Sequence, residues 1–120
     1  MKRNPRILIA DDNKELCNCL TDLLELEEYD VTAVYDGNQA IEAVRKDEFA
    51  IVLMDVKMPG LNGVEATRIL KEIAPRLPVV LISAFADEEL HRDGLQTTDF
   101  EIIQKPIDIH RLLQRLKQIP

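Results

Sequence analysis

The sequence predicts an α/β domain in which five parallel β-strands alternate with helices that cover both faces of one sheet. Strand-like and helix-like segments alternate along all 120 residues. Each connection is too short for anything but a single crossover, which favours a doubly wound arrangement of parallel strands. The longest uninterrupted apolar run, at 49–54, is typical of a central parallel strand covered on both faces.

The first two strands are predicted at 7–10 and 31–34, where short apolar runs occur. Leucines recur at three- and four-residue spacings over about 14–28, which predicts a helix between these strands. After the second strand, Asp36 or Asn38 could cap a second helix, because either side chain can accept a hydrogen bond from the first helical turn.

The remaining strands are predicted at short apolar runs, at 49–54, 79–82 and 102–103. Two further helices are predicted over about 64–73 and 109–117. Pro75 ends the first of them because proline cannot continue a helix, and Asp108 is a plausible cap for the second.

The fourth crossover has the weakest helical pattern. Its helix is predicted over 87–96, but Gly94 lies inside that segment, where glycine costs roughly 1 kcal/mol relative to alanine. The residues that follow offer no glycine to end the helix. We therefore expect this helix to be short, frayed or irregular.

Composition and length predict one domain over 1–120, with an ordered core over 6–116. Hydrophobic residues make up 46% of the chain, enough to form a core without disulfides or a structural metal. Only 4% of the residues are aromatic, so the core is expected to be aliphatic.

The net charge of −7 argues against direct nucleic-acid binding, because phosphate backbones require a surplus of Lys and Arg. No apolar stretch approaches the roughly 18 residues of a membrane helix, and the N-terminus lacks the apolar region of a secretory signal. Cys17 and Cys19 would point about 200° apart on a helix, which suits neither a disulfide nor joint chelation. They are interpreted as reduced packing residues, and the expected compartment is cytoplasmic.

Polar side chains follow four of the five predicted strands, at the point where each apolar run ends. Asp11 and Asp12 follow the first run and Asp55 follows the third. Ser83 follows the fourth, and Lys105 comes just after the fifth. Ligands of open α/β sheets bind beyond the carboxyl ends of the strands, so these groups converge on one small site if their strands are neighbours, as in the order 2-1-3-4-5.

Three clustered carboxylates repel one another unless a cation neutralises them. A hard divalent ion, Mg²⁺ or Mn²⁺, is the natural partner because it takes oxygen ligands. A carboxylate beside such an ion and a lysine can attack a phosphoryl group and form an acyl phosphate. Taken singly, the same residues also suit a helix cap, a turn or a solvated lysine, and only their joint occurrence favours a site.

Nearly the whole chain, over about 6–116, resembles a response-regulator receiver domain. The resemblance implies a flavodoxin-like, CheY-like fold with strand order 2-1-3-4-5. The motifs that carry it are the acidic pair Asp11-Asp12, the stretch from Asp55 through Met58-Pro59 to Gly63, the Ser83-Ala84 pair and Lys105-Pro106.

The resemblance implies that Asp55 is the phosphoacceptor of a two-component phosphorelay. It implies Asp12, Asp55 and the backbone carbonyl of Lys57 as direct ligands of Mg²⁺ or Mn²⁺, with Asp11 acting mainly through water. Ser83 would donate a hydrogen bond to the phosphoryl group and Lys105 would pair with it ionically.

The same resemblance implies that the Lys105–Pro106 peptide bond is cis. It implies a sensor histidine kinase or a histidine phosphotransfer protein as phosphodonor, and a downstream protein target or output domain. Homodimerisation is left open. The chain would promote its own phosphorylation and dephosphorylation without being an enzyme that turns over other substrates.

Several positions depart from the family pattern. Ile102 occupies a position that usually holds Tyr or Phe, whose rotamer reports activation, and the usual Gly-Ala after the fourth helix is replaced around Thr98-Asp99. Together with Gly94, these changes predict intact phosphorylation chemistry and an output that depends on movement of the fourth crossover.

Lys57 lies two residues after Asp55 and is expected at the mouth of the site. It is either a solvent-facing lysine or a positive charge that tunes the lifetime of the acyl phosphate.

Three alternatives to a receiver remain open from the sequence. They are a metal-dependent phosphatase with an aspartyl-phosphate intermediate, an interaction module that has lost phosphorylation, and a flavodoxin-like cofactor protein.

Overall fold

A computed structural model describes residues 4–84 and 101–119. The strands are β1 (Arg6–Ala10), β2 (Asp30–Val34), β3 (Ile51–Asp55), β4 (Val79–Ser83) and β5 (Glu101–Gln104). The helices in the described part of the chain are α1 (Lys14–Leu26), α2 (Gly37–Lys46), α3 (Gly63–Ile73) and α4 (Ile109–Leu116). The predicted helix over 87–96, with Gly94, lies outside the described residues, as do Thr98 and Asp99.

The five strands form one parallel sheet in the order β2-β1-β3-β4-β5. This confirms the predicted doubly wound α/β fold and its strand order. The register places Ala10 beside Met54, and Ser83 beside Gln104. The carboxyl ends of β1, β3, β4 and β5 therefore lie at the same edge of the sheet.

The core has two layers because successive strand residues point to opposite faces. Leu8 and Val52 face one layer, which α2 and α3 cover. Ile9 and Leu53 face the other layer, which α1 and α4 cover. Every residue of β3 and β4 is buried, and for β3 the continuous apolar run predicts this burial, as for a strand covered on both sides.

The boundaries of β3 and β4 differ from the prediction. Strand β3 begins at Ile51, although the apolar run begins at Phe49, and Phe49 packs against the α2–α3 layer from the preceding loop. Strand β3 also includes Asp55, so the acid is its last residue. Strand β4 includes Ser83 in the same way.

Helix α1 ends at Leu26, two residues before the predicted end. Glu28 has a positive φ of 68°. The amides of Glu28 and Tyr29 donate to the carbonyls of Glu25 and Leu24 at 3.0 and 3.1 Å. This is a left-handed helix ending, built with glutamate where glycine is usual.

Each described helix has an Asx residue at its N-cap whose side chain accepts a backbone hydrogen bond: Asn13, Asp36, Asn62 and Asp108. The predicted cap Asp108 is confirmed, and of the two alternatives for α2 the cap is Asp36. The prediction that both cysteines are packing residues is wrong for one of them. Cys17 is buried and Cys19 is exposed, and both are free thiols.

None of the helices over 4–84 and 101–119 is long and apolar enough to cross a membrane.

Candidate functional site

The polar residues predicted at the strand ends converge at one edge of the sheet. Asp55 and Ser83 are the last residues of β3 and β4, and Asp11 follows β1 directly. These three residues are buried, with 5%, 3% and 3% exposure respectively. Lys105, the residue after β5, reaches the same place. Polar groups this deeply buried require compensation by charge or hydrogen bonds.

Three carboxylate oxygens, one each from Asp11, Asp12 and Asp55, lie within 4.8 Å of one another. Asp12 is exposed, so the cluster opens to solvent on that side. The predicted acidic cluster is therefore present as a spatial group.

Lys105 forms ion pairs with two of the acids. Its Nζ lies 3.3 Å from Asp11 Oδ2 and 3.2 Å from Asp55 Oδ1. Its backbone amide donates to the Ser83 carbonyl at 2.9 Å, which ties the segment after β5 to the end of β4. The Lys105–Pro106 peptide bond is cis, as the resemblance implies.

One lysine does not balance the acids. Burial, reinforced by the carboxylate of Asp11, raises the pKa of Asp55 to about 6, and the attraction of Lys105 opposes this only in part. Burial lowers the pKa of Lys105, but the carboxylates of Asp55 and Asp11 outweigh it and the net shift is upward. The site thus holds an excess of negative charge that raises the free energy of an ionised Asp55.

These properties fit a hard divalent cation. Within residues 4–84 and 101–119, the donor atoms of the cluster are all carboxylate oxygens, which Mg²⁺ and Mn²⁺ prefer. A cation there would compensate the charge that Lys105 leaves unbalanced. The exposed side at Asp12 leaves room for waters or substrate oxygens, which Mg²⁺ retains in most protein sites.

The site lies in a cleft of about 330 Å³ that also includes Asn13, Lys57, Ser83 and Ala84. Lys57 is exposed at its rim. Asn13 was not predicted as a site residue. The backbone amide of Asn13 donates to Asp11 Oδ1 at 2.9 Å, and the side-chain Oδ1 of Asn13 accepts from the backbone amide of Leu16 at 3.1 Å. Asn13 therefore links Asp11 to the start of α1. The signal in the sequence was an Asx residue directly before a helical pattern.

Cys17 lies beneath the acidic pair. Its Sγ donates to the Asp11 carbonyl oxygen at 3.3 Å. Burial, together with the carboxylates of Asp11 and Asp55, raises the pKa of its thiol to about 11. The thiol therefore stays protonated and can keep donating this hydrogen bond.

Gly63 packs directly on the backbone of Asp55. A Cβ atom at position 63 would lie 2.0 Å from the Asp55 carbonyl oxygen, so no other residue fits without moving the strand end. The Gly63 amide donates to the Val56 carbonyl at 2.9 Å. The glycine of the predicted motif thus holds the first turn of α3 against the residue that carries the acid.

The family model of the response regulator receiver domain matches residues 7–117. The chain belongs to this family, and it is a receiver domain of two-component signalling.

The relatives differ in length. The response regulator receiver protein CpdR of Brucella abortus is 31% identical over 114 residues, which are 95% of each chain. The transcriptional regulatory protein ZraR of Escherichia coli K12 is 32% identical over 115 residues, 96% of this chain and 26% of ZraR. The chain therefore spans about a quarter of the length of the ZraR relatives that it matches.

Solved receivers share the fold. The receiver domain of the Francisella response regulator 1452 is 28% identical with a TM-score of 0.84, over 97% of this chain and 96% of that one. The response regulator TrrA of Thermotoga maritima, solved in complex with Mg²⁺-BeF, has a TM-score of 0.85 at 22% identity, over 97% and 99%. At that identity the second likeness shows the fold alone.

Proposed function

We propose that the chain is a phosphoacceptor switch in which Asp55 receives a phosphoryl group in a reaction that depends on Mg²⁺ or Mn²⁺. The observation that carries the proposal is the position of Asp55 at the end of β3, within reach of two further carboxylates and 3.2 Å from the Lys105 ammonium. The donor is a sensor histidine kinase or a histidine phosphotransfer protein, in which phosphohistidine carries the group.

The transfer replaces one bond by another. A carboxylate oxygen of Asp55 attacks phosphorus, an oxygen–phosphorus bond forms, and the phosphorus–nitrogen bond of the donor imidazole breaks. The bonding pair goes to the imidazole nitrogen, which takes a proton from solvent. Such a reaction needs little covalent chemistry from the protein beyond positioning and charge compensation.

The cation would be held by Asp11, Asp12, Asp55 and the backbone carbonyl of Lys57, with Asp11 acting mainly through water. When bound, it supplies positive charge that compensates the acids and the phosphoryl oxygens. TrrA of Thermotoga maritima, which shares this fold, was solved in complex with Mg²⁺-BeF, and this supports Mg²⁺ as the cation.

Two side chains face the incoming group. The Lys105 ammonium already pairs with Asp55 at 3.2 Å, and it can exchange that partner for a phosphoryl oxygen. Ser83 is buried at the end of β4 in the same cleft, and its hydroxyl can donate to a second phosphoryl oxygen.

The test is incubation with a small-molecule phosphodonor, with and without Mg²⁺, followed by intact mass measurement and peptide mapping. We expect one added phosphoryl group in the presence of Mg²⁺, mapped to Asp55 and absent from Asp55→Asn. An unmodified wild-type protein under conditions that label another receiver would overturn the proposal. Repeated turnover of a phosphomonoester would favour the metal-dependent phosphatase instead.

Lys57 is proposed to tune the lifetime of the acyl phosphate. Its side chain is exposed at the rim of the cleft, where a positive charge can restrict or orient the attacking water. Replacing it with alanine should change the dephosphorylation rate of the labelled protein. An unchanged rate in Lys57→Ala would leave this lysine with no part in the reaction.

The output is proposed to reach a downstream protein target or an attached output domain. Ile102 is half-buried on β5 and packs against the α2–α3 layer, so this position presents no aromatic ring that could swing between the interior and the surface. Output through the fourth crossover and homodimer formation both stay proposals, and the receiver unit is proposed to span 6–116 within 1–120.

A further inference from the structure

The first turn of α2 lies against the loop that follows the acid-bearing strand. We call residues 56–62 the β3–α3 loop. Gly37, the first residue of α2, is buried there. A Cβ atom at position 37 would lie 2.7 Å from the Leu61 carbonyl oxygen and 3.2 Å from the Ala66 Cβ. The approach of α2 to this loop is therefore too close for any side chain.

This turn of α2 is closed by two reciprocal hydrogen bonds. The Asp36 carboxylate accepts from the Gln39 amide at 2.7 Å, and the Gln39 side chain accepts from the Tyr35 amide at 2.8 Å. The bonds fix both the start of the helix and the chain that enters it from β2. These hydrogen bonds hold the first turn of α2 in place, so this turn resists displacement of Leu61.

The other end of the β3–α3 loop is fixed at Asp55. Gly63 packs on the Asp55 carbonyl, and its amide donates to the Val56 carbonyl at 2.9 Å. Within the loop, Val56 and Met58 are buried in the α2–α3 layer, whereas Lys57 between them lines the cleft. The backbone of Lys57 is therefore carried by a segment held at Asp55 on one side and by α2 on the other.

We propose that Gly37 is a positioning residue of the cation site, through which the first turn of α2 and the metal site are energetically coupled. Its lack of a side chain allows Leu61 to pack against α2, which holds Lys57, whose carbonyl the proposed function assigns to the cation, at the cleft. Coupling of two sites is reciprocal. A cation bound at the acids therefore stabilises the contact between Leu61 and α2, and a disturbed contact lowers the affinity for the cation. This inference rests on the proposed function.

The test compares Gly37→Ala with Asn38→Ala, its exposed neighbour in the same helical turn. The Mg²⁺ dissociation constant is measured by calorimetry on each protein, at a temperature where circular dichroism shows it folded. Gly37→Ala should bind Mg²⁺ about fivefold or more weakly, which is the lower end of usual coupling between sites. Asn38→Ala should bind as the wild type does.

A second measurement does not depend on the variant folding. Amide chemical shifts of wild-type residues 36–40 should move during a Mg²⁺ titration, with the same dissociation constant as the amides of the acids. In Asp12→Asn both sets of shifts should need much more Mg²⁺. A merely structural role of Gly37 predicts no movement at α2.

The outcomes separate the two proposals. If the wild type binds Mg²⁺ but the α2 amides stay still, or if a folded Gly37→Ala binds as tightly, the coupling is overturned and the phosphoacceptor function stands. If the wild type does not bind Mg²⁺, both fail.

Discussion

The surroundings of Asp55 destabilise its ionised form more than they stabilise it. It is buried at the end of β3, and the carboxylate of Asp11 adds to the cost of ionising it. Lys105 compensates in part, from 3.2 Å. A group whose charge is costly in the free protein gains most when a cation arrives, which makes this residue the natural centre of a metal-dependent reaction.

The raised pKa of Asp55 predicts how stability depends on pH in metal-free protein. Its pKa rises from 3.8 to about 6, so the folded protein holds this proton more tightly than the unfolded chain does. The resulting stabilisation is complete below the unfolded pKa and is lost as pH rises through about 6.

Urea unfolding in a chelator should show this loss. Between about pH 4 and about pH 7, wild type should lose on the order of 2–3 kcal/mol relative to Asp55→Asn. Saturating Mg²⁺ at the higher pH should restore the lost free energy of unfolding in wild type. It should raise the free energy of unfolding of Asp55→Asn by less. Parallel pH profiles for the two metal-free proteins would contradict the assignment.

Glu28 ends α1 in a left-handed conformation that favours glycine. Glu28→Gly should raise the free energy of unfolding by about 0.5–1 kcal/mol, because it relieves this strain at the cost of a more flexible unfolded chain. Glu27→Gly is the matched control, since Glu27 has a φ of −92°. Thermal or urea unfolding of both measures the effect, and a stabilisation by the control of equal size would rule out the backbone explanation.

Five residues of the site could be predicted because they share one simple position, the end of an apolar strand run: Asp11, Asp12, Asp55, Ser83 and Lys105. The Asx residue before α1 predicts a helix cap at Asn13, but neither Asn13 nor Cys17 could be predicted as a support of Asp11. Each acts through a short-range hydrogen bond to Asp11, and such a bond depends on how tightly α1 turns after β1. No periodicity in the sequence records that.

At the scale of elements, two glycines in and next to the β3–α3 loop are required for different physical reasons. Gly60 has a φ of 74° but no neighbour within 4 Å of a Cβ atom. Gly63 has no such conformational need, yet a Cβ atom there would collide with the Asp55 backbone. The first glycine is required by conformation and the second by space.

The same substitution at these two positions should therefore have different costs. Gly60→Ala should lose about 1 kcal/mol of stability through backbone strain. Gly63→Ala should lose about 2–4 kcal/mol, because the start of α3 must move away from the strand end. Denaturant unfolding of both variants checks this, and equal losses would mean that the close approach of Gly63 to Asp55 is not what holds the loop.

Element types were predictable and element boundaries less so. Apolar runs identified all five strands, but the run at 49–54 does not coincide with β3, because Phe49 packs as a loop residue. The end of α1 was predicted too late, since a glutamate in a left-handed conformation leaves no signal in a helical pattern. Boundaries depend on tertiary contacts that periodicity does not contain.

The whole molecule produces the site through its topology. Four neighbouring strands bring acids, a hydroxyl and an ammonium to one edge of the sheet, although these groups are up to 94 residues apart in the chain. The two apolar layers fix the strands so firmly that the charged groups cannot separate to relieve their repulsion. The repulsion persists in the folded state, and its relief on binding favours the uptake of a cation.

Calorimetric titration of Mg²⁺ into the folded protein near neutral pH tests this claim most directly, with Asp12→Asn as the variant, because Asp12 is the exposed acid of the cluster. We predict binding of one Mg²⁺ to wild type and a loss of affinity of at least about tenfold in Asp12→Asn, as expected when a carboxylate ligand is removed. A wild-type protein that takes up no Mg²⁺, or a variant that binds it equally well, would contradict the account.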